Sequence, residues 1–207
     1  MFFFFLSDVS LYHSFDSLTG PYVGSEFASF MMNNGQFVTG KKNNALEATD
    51  TKGFAFSIPT THCAQNLHLC TNGFTFAIWI KMTKAAGWSS MGYLEFFFSN
   101  VVVMASQSNE LTIVLHNKNT GKSFTQKMTI RFGQWVHYAV TWDATNNVAV
   151  VYENGVEFDK PKEASVTAGA MPNFGALGNS AITYQFDELY IFQKVMDSGI
   201  ILQLASI

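Results

Sequence analysis

The chain has 207 residues and a formal net charge of −3, and 13% of its residues are charged, against a usual level of about a quarter. Its length suits one large β domain, which we predict to span residues 1–207. Because the net charge is slightly negative, the sequence offers no broad basic surface, and nucleic acid is excluded as an expected partner. The 21 phenylalanines favour sheet structure, since aromatic side chains pack well on a pleated surface.

The amino-terminal stretch MFFFFLSDVS is apolar, but it has neither a basic segment nor a small-residue cleavage site, so no signal peptide is predicted. The longest apolar run is interrupted by Glu95, Ser99 and Asn100 and stays short of the ~18 apolar residues of a membrane helix. We expect a soluble chain without a transmembrane segment. If the protein is secreted, its export signal lies in a longer protein of which this chain is one part.

The two cysteines, Cys63 and Cys70, lie in the short stretch THCAQNLHLC. Their spacing differs from that of a CxxC metal knuckle, and so short a loop is not expected to supply four zinc ligands, although His62 and His68 are nearby. A local disulfide is predicted, which contributes about 2.5 kcal/mol in the chain-entropy description and implies an oxidising compartment. The alternative is a pair of free, buried thiols.

Alternating hydrophobicity predicts short strands through most of the chain. The stretch GFTFAIWIKM, residues 73–82, places four large apolar residues on one face and Thr75, Ala77, Trp79 and Lys81 on the other. ELTIVLHN, SFTQKMTI, QWVHYAVTW and VAVVYE follow, separated by turn-forming residues. Many short strands at this spacing predict an all-β fold, an antiparallel two-sheet β-sandwich of the jelly-roll type.

Two local signals refine this fold. Asn154-Gly155 predicts a type I′ hairpin turn, because both residues accept a positive φ. Near the carboxyl end, MDSGIILQLAS predicts a short helix that is capped by Asp197.

The strand QWVHYAVTW is apolar on both faces, which is typical of a central strand covered on each side. We expect Trp135, Tyr138 and Trp142 to belong to the core before they serve as a ligand platform. His137 is expected to be a neutral, hydrogen-bonded core residue, because no serine or cysteine nucleophile signature accompanies it.

The stretch VEFDKPKE carries acids at Glu157, Asp159 and Glu163, a spacing similar to that of one family of sandwich-fold glycosidases. Glycoside hydrolysis needs two carboxyl groups on a rigid, partly desolvated strand. Here Pro161 interrupts the strand, two lysines screen the acids, and the stretch leaves a tight turn directly. We therefore predict solvated acids and a protein that is not an enzyme.

Six segments follow one another in an informative order: LYHSFD, GKKNNALEAT ahead of FSIP, CTNGFTFAIWIKM, QWVHYAVTWDATNNVAVVYENGVEF, GALGNS and FDELYIFQKVMDSGIILQL. Together they resemble the laminin-G-like and pentraxin-like domains of the concanavalin A-like lectin/glucanase superfamily, from about residue 11 to 205. The resemblance implies two antiparallel sheets packed face to face, with the first and last strands adjacent. It also implies an extracellular module that binds carbohydrate, protein or lipid headgroup, often beside calcium.

The resemblance leaves calcium open. The acidic insertion from which pentraxins draw most ligands is replaced here by NSAITYQ, so their paired-calcium site is not carried over. One structural calcium ion bridging the first and last strands through Asp16 and Asp187 is conceivable; the favoured alternative is that Asp187 accepts backbone hydrogen bonds at a strand edge. Asn109 lies where the resemblance places another ligand loop.

The stretch KAAGWSSMGY supplies the best candidate loop for a ligand, since sugar recognition uses an exposed aromatic face beside polar groups. Trp88, Ser89 and Tyr93 are the predicted ligand-binding residues there, with Trp88 folded over the core as the alternative.

Two functional hypotheses follow. The first is a non-catalytic extracellular module that mediates adhesion or assembly through protein contacts, as a homo-oligomer or as part of a larger multidomain protein; low charge and abundant apolar sheet residues favour it. The second is a glycan-binding, lectin-type module with calcium as an aid. Both place the partner, a protein or a glycan, at the cell surface or in the matrix.

Overall fold

The computed structural model describes residues 9–17, 29–33, 35–48, 53–57, 69–84, 95–97, 101–105, 109–116, 123–163, 173–177 and 182–207. Within these ranges the chain is almost entirely extended. The elements are, in order, β1 (Val9–His13), β2 (Ser29–Asn33), β3 (Gln36–Thr39), β4 (Asn44–Ala48), β5 (Gly53–Ser57), β6 (Phe74–Lys84), β7 (Glu95–Phe97), β8 (Val101–Ala105), β9 (Glu110–His116), β10 (Ser123–Thr129), β11 (Trp135–Asp143), β12 (Val148–Glu153), β13 (Val156–Glu157), β14 (Lys162–Glu163), β15 (Asn173–Leu177), β16 (Ile182–Phe192) and α1 (Ser198–Leu204).

The strands form three antiparallel sheets. The largest has nine strands and runs β13-β12-β11-β6-β16-β4-β3, with β1 pairing with β16 and β14 with β12. Strands β10-β9-β8 make a three-stranded sheet, and β2-β5-β15-β7 make a four-stranded one. The first and last strands are therefore neighbours, as the resemblance implied.

The core lies between the nine-stranded sheet and the three-stranded sheet. The alternation of β6 is the predicted one, because the side chains that point inward are large and apolar. Buried residues of the two sheets form one cluster, whose members include Phe74, Phe76, Ile78, Ile80, Tyr138, Trp142, Leu111, Ile113, Phe124 and Met128. The prediction of an all-β antiparallel sandwich with a short carboxyl-terminal helix is confirmed.

The outer face of the nine-stranded sheet is partly covered by α1. Ile201 and Leu204 of the helix pack with a second buried cluster that includes Ala77, Ala139 and Phe192 of the sheet. Asp197 is the N-cap, as predicted, and its Oδ1 accepts a hydrogen bond of 3.0 Å from the backbone N–H of Ile200.

The predicted hairpin between β12 and β13 is also present. Asn154 and Gly155 have φ values of 52° and 79°, as a type I′ turn requires. A Cβ at Gly155 would lie 2.8 Å from Cα of Leu202, so glycine also lets the turn contact α1 closely.

Strand β16 carries a β-bulge between Asp187 and Tyr190. Glu188 lies in this bulge with a φ of 49° and is 1% exposed. A bulge adds one residue to a strand and re-aims the side chains on either side of it, which brings two acidic residues into the interior here.

Two expectations for β11 are wrong in part. Trp135 is half-buried and points to the outer face of the sheet, so it is not a core residue, whereas Tyr138 and Trp142 are. The expectation failed because Trp135 is on the face of the sheet away from the opposing sheet, outside the cluster that α1 covers on that face. His137 is buried, but neither ring nitrogen has a hydrogen-bond partner among the residues described, so it is not a hydrogen-bonded core histidine.

Among the residues that the structure describes, no helix is long and apolar enough to cross a membrane.

Candidate functional site

The predicted ligand loop lies outside the described residues, because Trp88, Ser89 and Tyr93 all fall between β6 and β7. Asn109 is described and is exposed in a turn with a φ of 62°. Its carbonyl oxygen accepts a hydrogen bond of 2.7 Å from the backbone N–H of Ile130, so the residue has a backbone role in the three-stranded sheet. The assignment of these four residues to a ligand site stays a prediction.

Of the two cysteines, the structure describes only Cys70. Cys70 is 2% exposed and belongs to the core cluster, whereas Cys63 lies outside the described residues. The predicted disulfide therefore stays a prediction.

The predicted metal residues Asp16 and Asp187 both hold the loop between β3 and β4. Oδ2 of Asp187 accepts a hydrogen bond of 2.9 Å from the backbone N–H of Lys42, and its Oδ1 accepts one of 2.9 Å from Glu188. Asp16 accepts a hydrogen bond of 2.9 Å from the backbone N–H of Asn44. The loop is tightly packed, since a Cβ at Gly40 would lie 2.6 Å from Oδ2 of Asp187. Asp187 therefore accepts backbone hydrogen bonds, as the favoured alternative to calcium binding predicted.

Glu188 is the centre of a second set of hydrogen bonds beside this loop. The hydroxyls of Tyr12 and Tyr190 donate to its Oε2 at 3.0 Å and 2.9 Å, and the two tyrosine rings stack with centroids 4.7 Å apart. Nζ of Lys42 lies 3.9 Å from Oε1 of Glu188. These contacts join β1, the loop and β16. We call the two acids and the residues that contact them the clamp; its members are Asp187, Glu188, Tyr12, Tyr190 and Lys42.

Burial dominates the electrostatics of the clamp. It raises the pKa of Asp187 to about 7, and the neighbouring Glu188 carboxylate adds to the shift. Burial also raises the pKa of Glu188 and of Tyr190. A calcium ion takes six to eight oxygen ligands, whereas both oxygens of Asp187 already accept backbone hydrogen bonds. Among the described residues no group of three or more His, Cys, Asp or Glu is placed to hold a metal, so this donor set fits calcium poorly and the ion stays an untested prediction.

The acids of the β12–β13 hairpin do not form a catalytic pair. Glu157 is exposed on the short edge strand β13. Asp159 is also exposed, forms an ion pair of 2.8 Å with Lys162, and has a lowered pKa because Lys162 donates a hydrogen bond to it. A general acid in glycoside hydrolysis needs a raised pKa. For Glu157 and Asp159 this geometry agrees with the prediction of solvated acids, whereas the side chain of Glu163 lies outside the description and its solvation stays a prediction.

A row of polar side chains crosses the part of the outer face that lies beyond the helix-packed cluster. Trp135 lies opposite Lys81, Lys81 opposite Gln185, Gln185 opposite Glu47, and Glu47 opposite Gln36. Nε2 of Gln185 donates to Oε2 of Glu47 at 2.8 Å, and Nε2 of Gln36 donates to its Oε1 at 2.7 Å. Gln36 is exposed and the other four are half-buried. We call these five residues the outer-face row.

Next to this row, on the same face, lie Trp79 and His137. They are opposite each other on β6 and β11, with ring centroids 5.4 Å apart. Nζ of Lys41 lies 4.5 Å from the centroid of the Trp79 ring. Burial lowers the pKa of His137 to about 3, so its imidazole is neutral. The buried Nε1 of Trp79 and both ring nitrogens of His137 have no hydrogen-bond partner in the described part of the chain.

Residues 57–201 match a laminin G family model of the concanavalin A-like lectin/glucanases superfamily. The chain belongs to this family. No curated protein matches the sequence.

Solved structures similar to this laminin-G-like domain include the binding domains of botulinum neurotoxins. The botulinum neurotoxin serotype G binding domain has a TM-score of 0.76 at 12% identity, over 96% of this chain and 50% of that one. The binding domain of botulinum neurotoxin DC in complex with rat synaptotagmin II has a TM-score of 0.76 at 14% identity, over 97% and 52%. A structure from work on the entry of botulinum neurotoxin type C into cells, which depends on two ganglioside molecules, has a TM-score of 0.75 at 15% identity. The match covers 97% of this chain and 51% of that one. This laminin-G-like domain thus spans about half the length of these chains, and at such identities the likeness shows the fold.

Sequence reasoning missed the outer-face row. Each member occupies an outward position of its strand, and this orientation could be predicted from the alternation of β6 and its neighbours. The register that places the five residues opposite one another comes from pairing between strands distant in the sequence, which no local pattern reveals.

Proposed function

We propose that this laminin-G-like domain is a non-catalytic extracellular recognition module that mediates adhesion or assembly through protein contacts. The observation that carries the proposal is a group of exposed apolar side chains around the β12–β13 hairpin. Val156 is 65% exposed, Phe158 is 41% exposed, and Leu202 of α1, which touches the hairpin at Gly155, is 51% exposed. We call Val156, Phe158 and Leu202 the hairpin group. Val156 lies opposite Glu153 and so on the face of the sheet away from α1, whereas Leu202 lies on the helix side, so the group places apolar side chains on both faces of the β13 edge. Exposed large apolar side chains are typical of interaction surfaces.

The hairpin group borders the edge of the nine-stranded sheet, because β13 is its last strand. An edge strand offers unpaired backbone groups to a second strand. A symmetric contact can use the same patch twice, so the partner that we infer is a second copy of the chain. The segment that follows, Asp159-Lys160-Pro161-Lys162, carries charges and a proline, which limits how far such pairing extends along the edge.

Other observations support a binding role. Asp159 is exposed and its pKa is lowered by Lys162, and burial lowers the pKa of His137, so neither residue has the properties of a general acid. Among structures of the same fold, one is a complex with rat synaptotagmin II and another concerns cell entry through two ganglioside molecules. The extracellular location rests on the family resemblance and on the predicted Cys63–Cys70 disulfide.

The test is sedimentation velocity over a concentration series with the wild-type chain and the variants Val156→Asp and Thr125→Asp. We expect the wild type and Thr125→Asp, which changes an exposed residue of the other layer, to associate as concentration rises. Val156→Asp should stay monomeric, because a charge in an apolar contact is costly to desolvate. A wild-type chain that is monomeric throughout would contradict assembly through self-contact.

A second candidate, a glycan-binding module, is favoured by the outer-face row, which combines one aromatic ring with amides and charged groups on a flat surface. An array of glycans with and without a chelator separates the two candidates and tests calcium at once. Binding that survives the chelator would remove calcium from the account.

A further inference from the structure

The edge strand β13 has one residue whose backbone groups face a partner strand. Val156 follows the tight turn directly, so it forms the hydrogen-bonded pair with β12 that closes the hairpin. The next pair, Glu157 with Tyr152, is then a non-hydrogen-bonded pair, and the N–H and C=O of Glu157 point away from β12. Phe158 bonds to β12 again, since its N–H donates to the carbonyl oxygen of Val151 at 2.8 Å.

These outward backbone groups complement a second copy of the same strand. In an antiparallel pair, two residues directly opposite each other exchange both of their N–H···O=C hydrogen bonds. If two β13 strands meet about a two-fold axis perpendicular to the sheet, Glu157 lies opposite Glu157 of the second copy, and the two residues satisfy each other. The regular part of the edge runs from Val156 to Phe158 with Glu157 in the middle, so this register uses all of it.

On the face of the sheet that carries the core, this register pairs apolar side chains. Val156 and Phe158 both point to that face, because Val156 lies opposite Glu153 and the Phe158 N–H bonds to Val151, which belongs to the core cluster. Each Val156 then lies opposite Phe158 of the second copy. Aromatic and β-branched side chains form favourable cross-strand pairs, so two exposed side chains of each copy are covered.

On the helix side of the sheet, the same register opposes two carboxylates. Glu157 is exposed and lies opposite Tyr152, which belongs to the cluster under α1. In the two-fold pair the Glu157 side chains of both copies are direct cross-strand neighbours on this side. Like charges directly opposite each other destabilise a strand pair, so the contact is weakened while both carboxyls are ionised.

The charged groups around Glu157 do not neutralise this opposition. Burial raises the pKa of Tyr152, and the charges of Glu157 and of Asp197, the N-cap of α1, add to the shift, so the helix contributes a second negative group on this side. Lys160 is exposed, but in this register it lies beyond the part of the edge that pairs. Lys162 is held in an ion pair of 2.8 Å further along the chain.

We propose that two copies of the chain join β13 to β13 about a two-fold axis at Glu157, and that protonation of this residue strengthens the contact. A protonated carboxyl donates a hydrogen bond to the carboxylate opposite, which replaces repulsion by attraction. A glutamate in water titrates near pH ~4.3, so the dimer binds more protons than two monomers do and gains affinity as the pH falls from 7.5 towards ~4.5. The inference rests on the proposed function for its surface and partner, and it adds the register, the symmetry and the control by pH.

The first experiment is sedimentation velocity of the whole chain over a concentration series at pH ~7.5 and ~4.5, with circular dichroism to confirm the fold at each pH. At the higher pH we expect Glu157→Gln to dimerise about fivefold more tightly than the wild type, because the variant carries no opposed charges. At the lower pH the difference should shrink to less than about twofold. Glu110→Gln removes the same charge from the other layer and should behave as the wild type does at both pH values.

The second experiment tests directly whether residue 157 faces itself. Glu157→Lys alone opposes two ammonium groups, and the wild type alone opposes two carboxylates, whereas a mixture of the two opposes one of each. We expect the mixed dimer at pH ~7.5 and low salt to be about tenfold tighter than either pure dimer, and added salt to reduce this gain. Fluorescence-detected sedimentation with one labelled component measures it.

The failure of this inference is distinguishable from the failure of assembly itself. Association that Val156→Asp abolishes but Glu157→Gln leaves unchanged at both pH values, with a mixed dimer of intermediate affinity, would overturn the register and the pH control. Assembly through the hairpin group would then still stand. Wild type and Glu157→Gln that are both folded and monomeric at both pH values would overturn the proposed self-association and this inference together.

Discussion

The outer face of the nine-stranded sheet has two parts that differ in what covers them. Where α1 packs, the sheet presents small or aromatic side chains such as Ala77, Ala139 and Phe192, and they are buried. Beyond the helix, the same strands present Lys81, Trp135 and their polar neighbours, which are half-buried or exposed. One face of one sheet thus packs against the helix in one part and leaves polar side chains uncovered in the other.

The difference arises within single strands. On β6, Ala77 leaves space for the helix, and Lys81, four residues later on the same face, is too polar and too long to be covered by it. The lesson is that alternation tells which residues point outward, and the size and polarity of the outward residues tell which part of the face receives a covering element.

The sharpest test of this division is Ile201→Ala in α1. Ile201 is 0% exposed, so the variant leaves a cavity under the helix, and we expect the free energy of unfolding to fall by about 2–5 kcal/mol in urea denaturation. Gln36→Ala, in the open part, should change it by less than about 0.5 kcal/mol. Equal losses in the two variants would show that the two parts do not differ in their contribution to stability.

The second test measures how the stability contribution of His137, which lies between the two parts, changes with pH. Burial lowers the pKa of His137 from 6.5 to about 3, so the folded state favours the neutral ring. Its contribution to stability is complete above pH 6.5 and is lost as the pH falls from 6.5 towards 3. Relative to His137→Leu, the wild type should therefore lose up to ~1.4 kcal/mol per pH unit below pH 6.5, measured by urea denaturation at several pH values.

Other groups do not disturb this comparison, because both proteins contain them. Burial lowers the pKa of His13 to about 4, which acts in the same direction as His137. Asp187 acts in the opposite direction: its pKa is raised to about 7, so its contribution is greatest below pH 4 and is lost as the pH rises towards 7. Stability curves for wild type and His137→Leu that run parallel from pH 7.5 to 5 would contradict the buried, neutral assignment of His137.

The smallest effect is expected at the start of the covering helix. Asp197→Ala removes the side chain that caps α1, and the free energy of unfolding should fall by about 1 kcal/mol. Ser198→Ala, one residue later and exposed, is the control and should have little effect.

Much of the fold was predictable from local sequence. Alternation identified β6, β9, β10, β11 and β12, Asn154-Gly155 identified the hairpin, and Asp197 identified the start of α1. These features depend on residues close together in the chain. The positive φ of Glu188 was not predictable, because its cause is a bulge whose need arises from the strands on both sides of β16.

The residues of the candidate site were less predictable for the same reason. The clamp around Glu188 joins Tyr12 to Tyr190, and the outer-face row joins Gln36 to Trp135, across wide separations in sequence. Asp187 was identified as a candidate from the sequence, and its use in backbone hydrogen bonds was correctly favoured, because an acid at the edge of an apolar strand needs hydrogen-bond donors.

The bulge of β16 also changes which positions of the strand point into the core. Ile182, Tyr184 and Phe186 point into the core at even positions, whereas Leu189 and Ile191 do so at odd positions. One inserted residue therefore allows the same strand to pair with β4 along its first part and with β1 along its second while both parts face the core. Removing that residue would exchange inside for outside along half the strand, and Tyr190 and Phe192 would leave the helix for the interior.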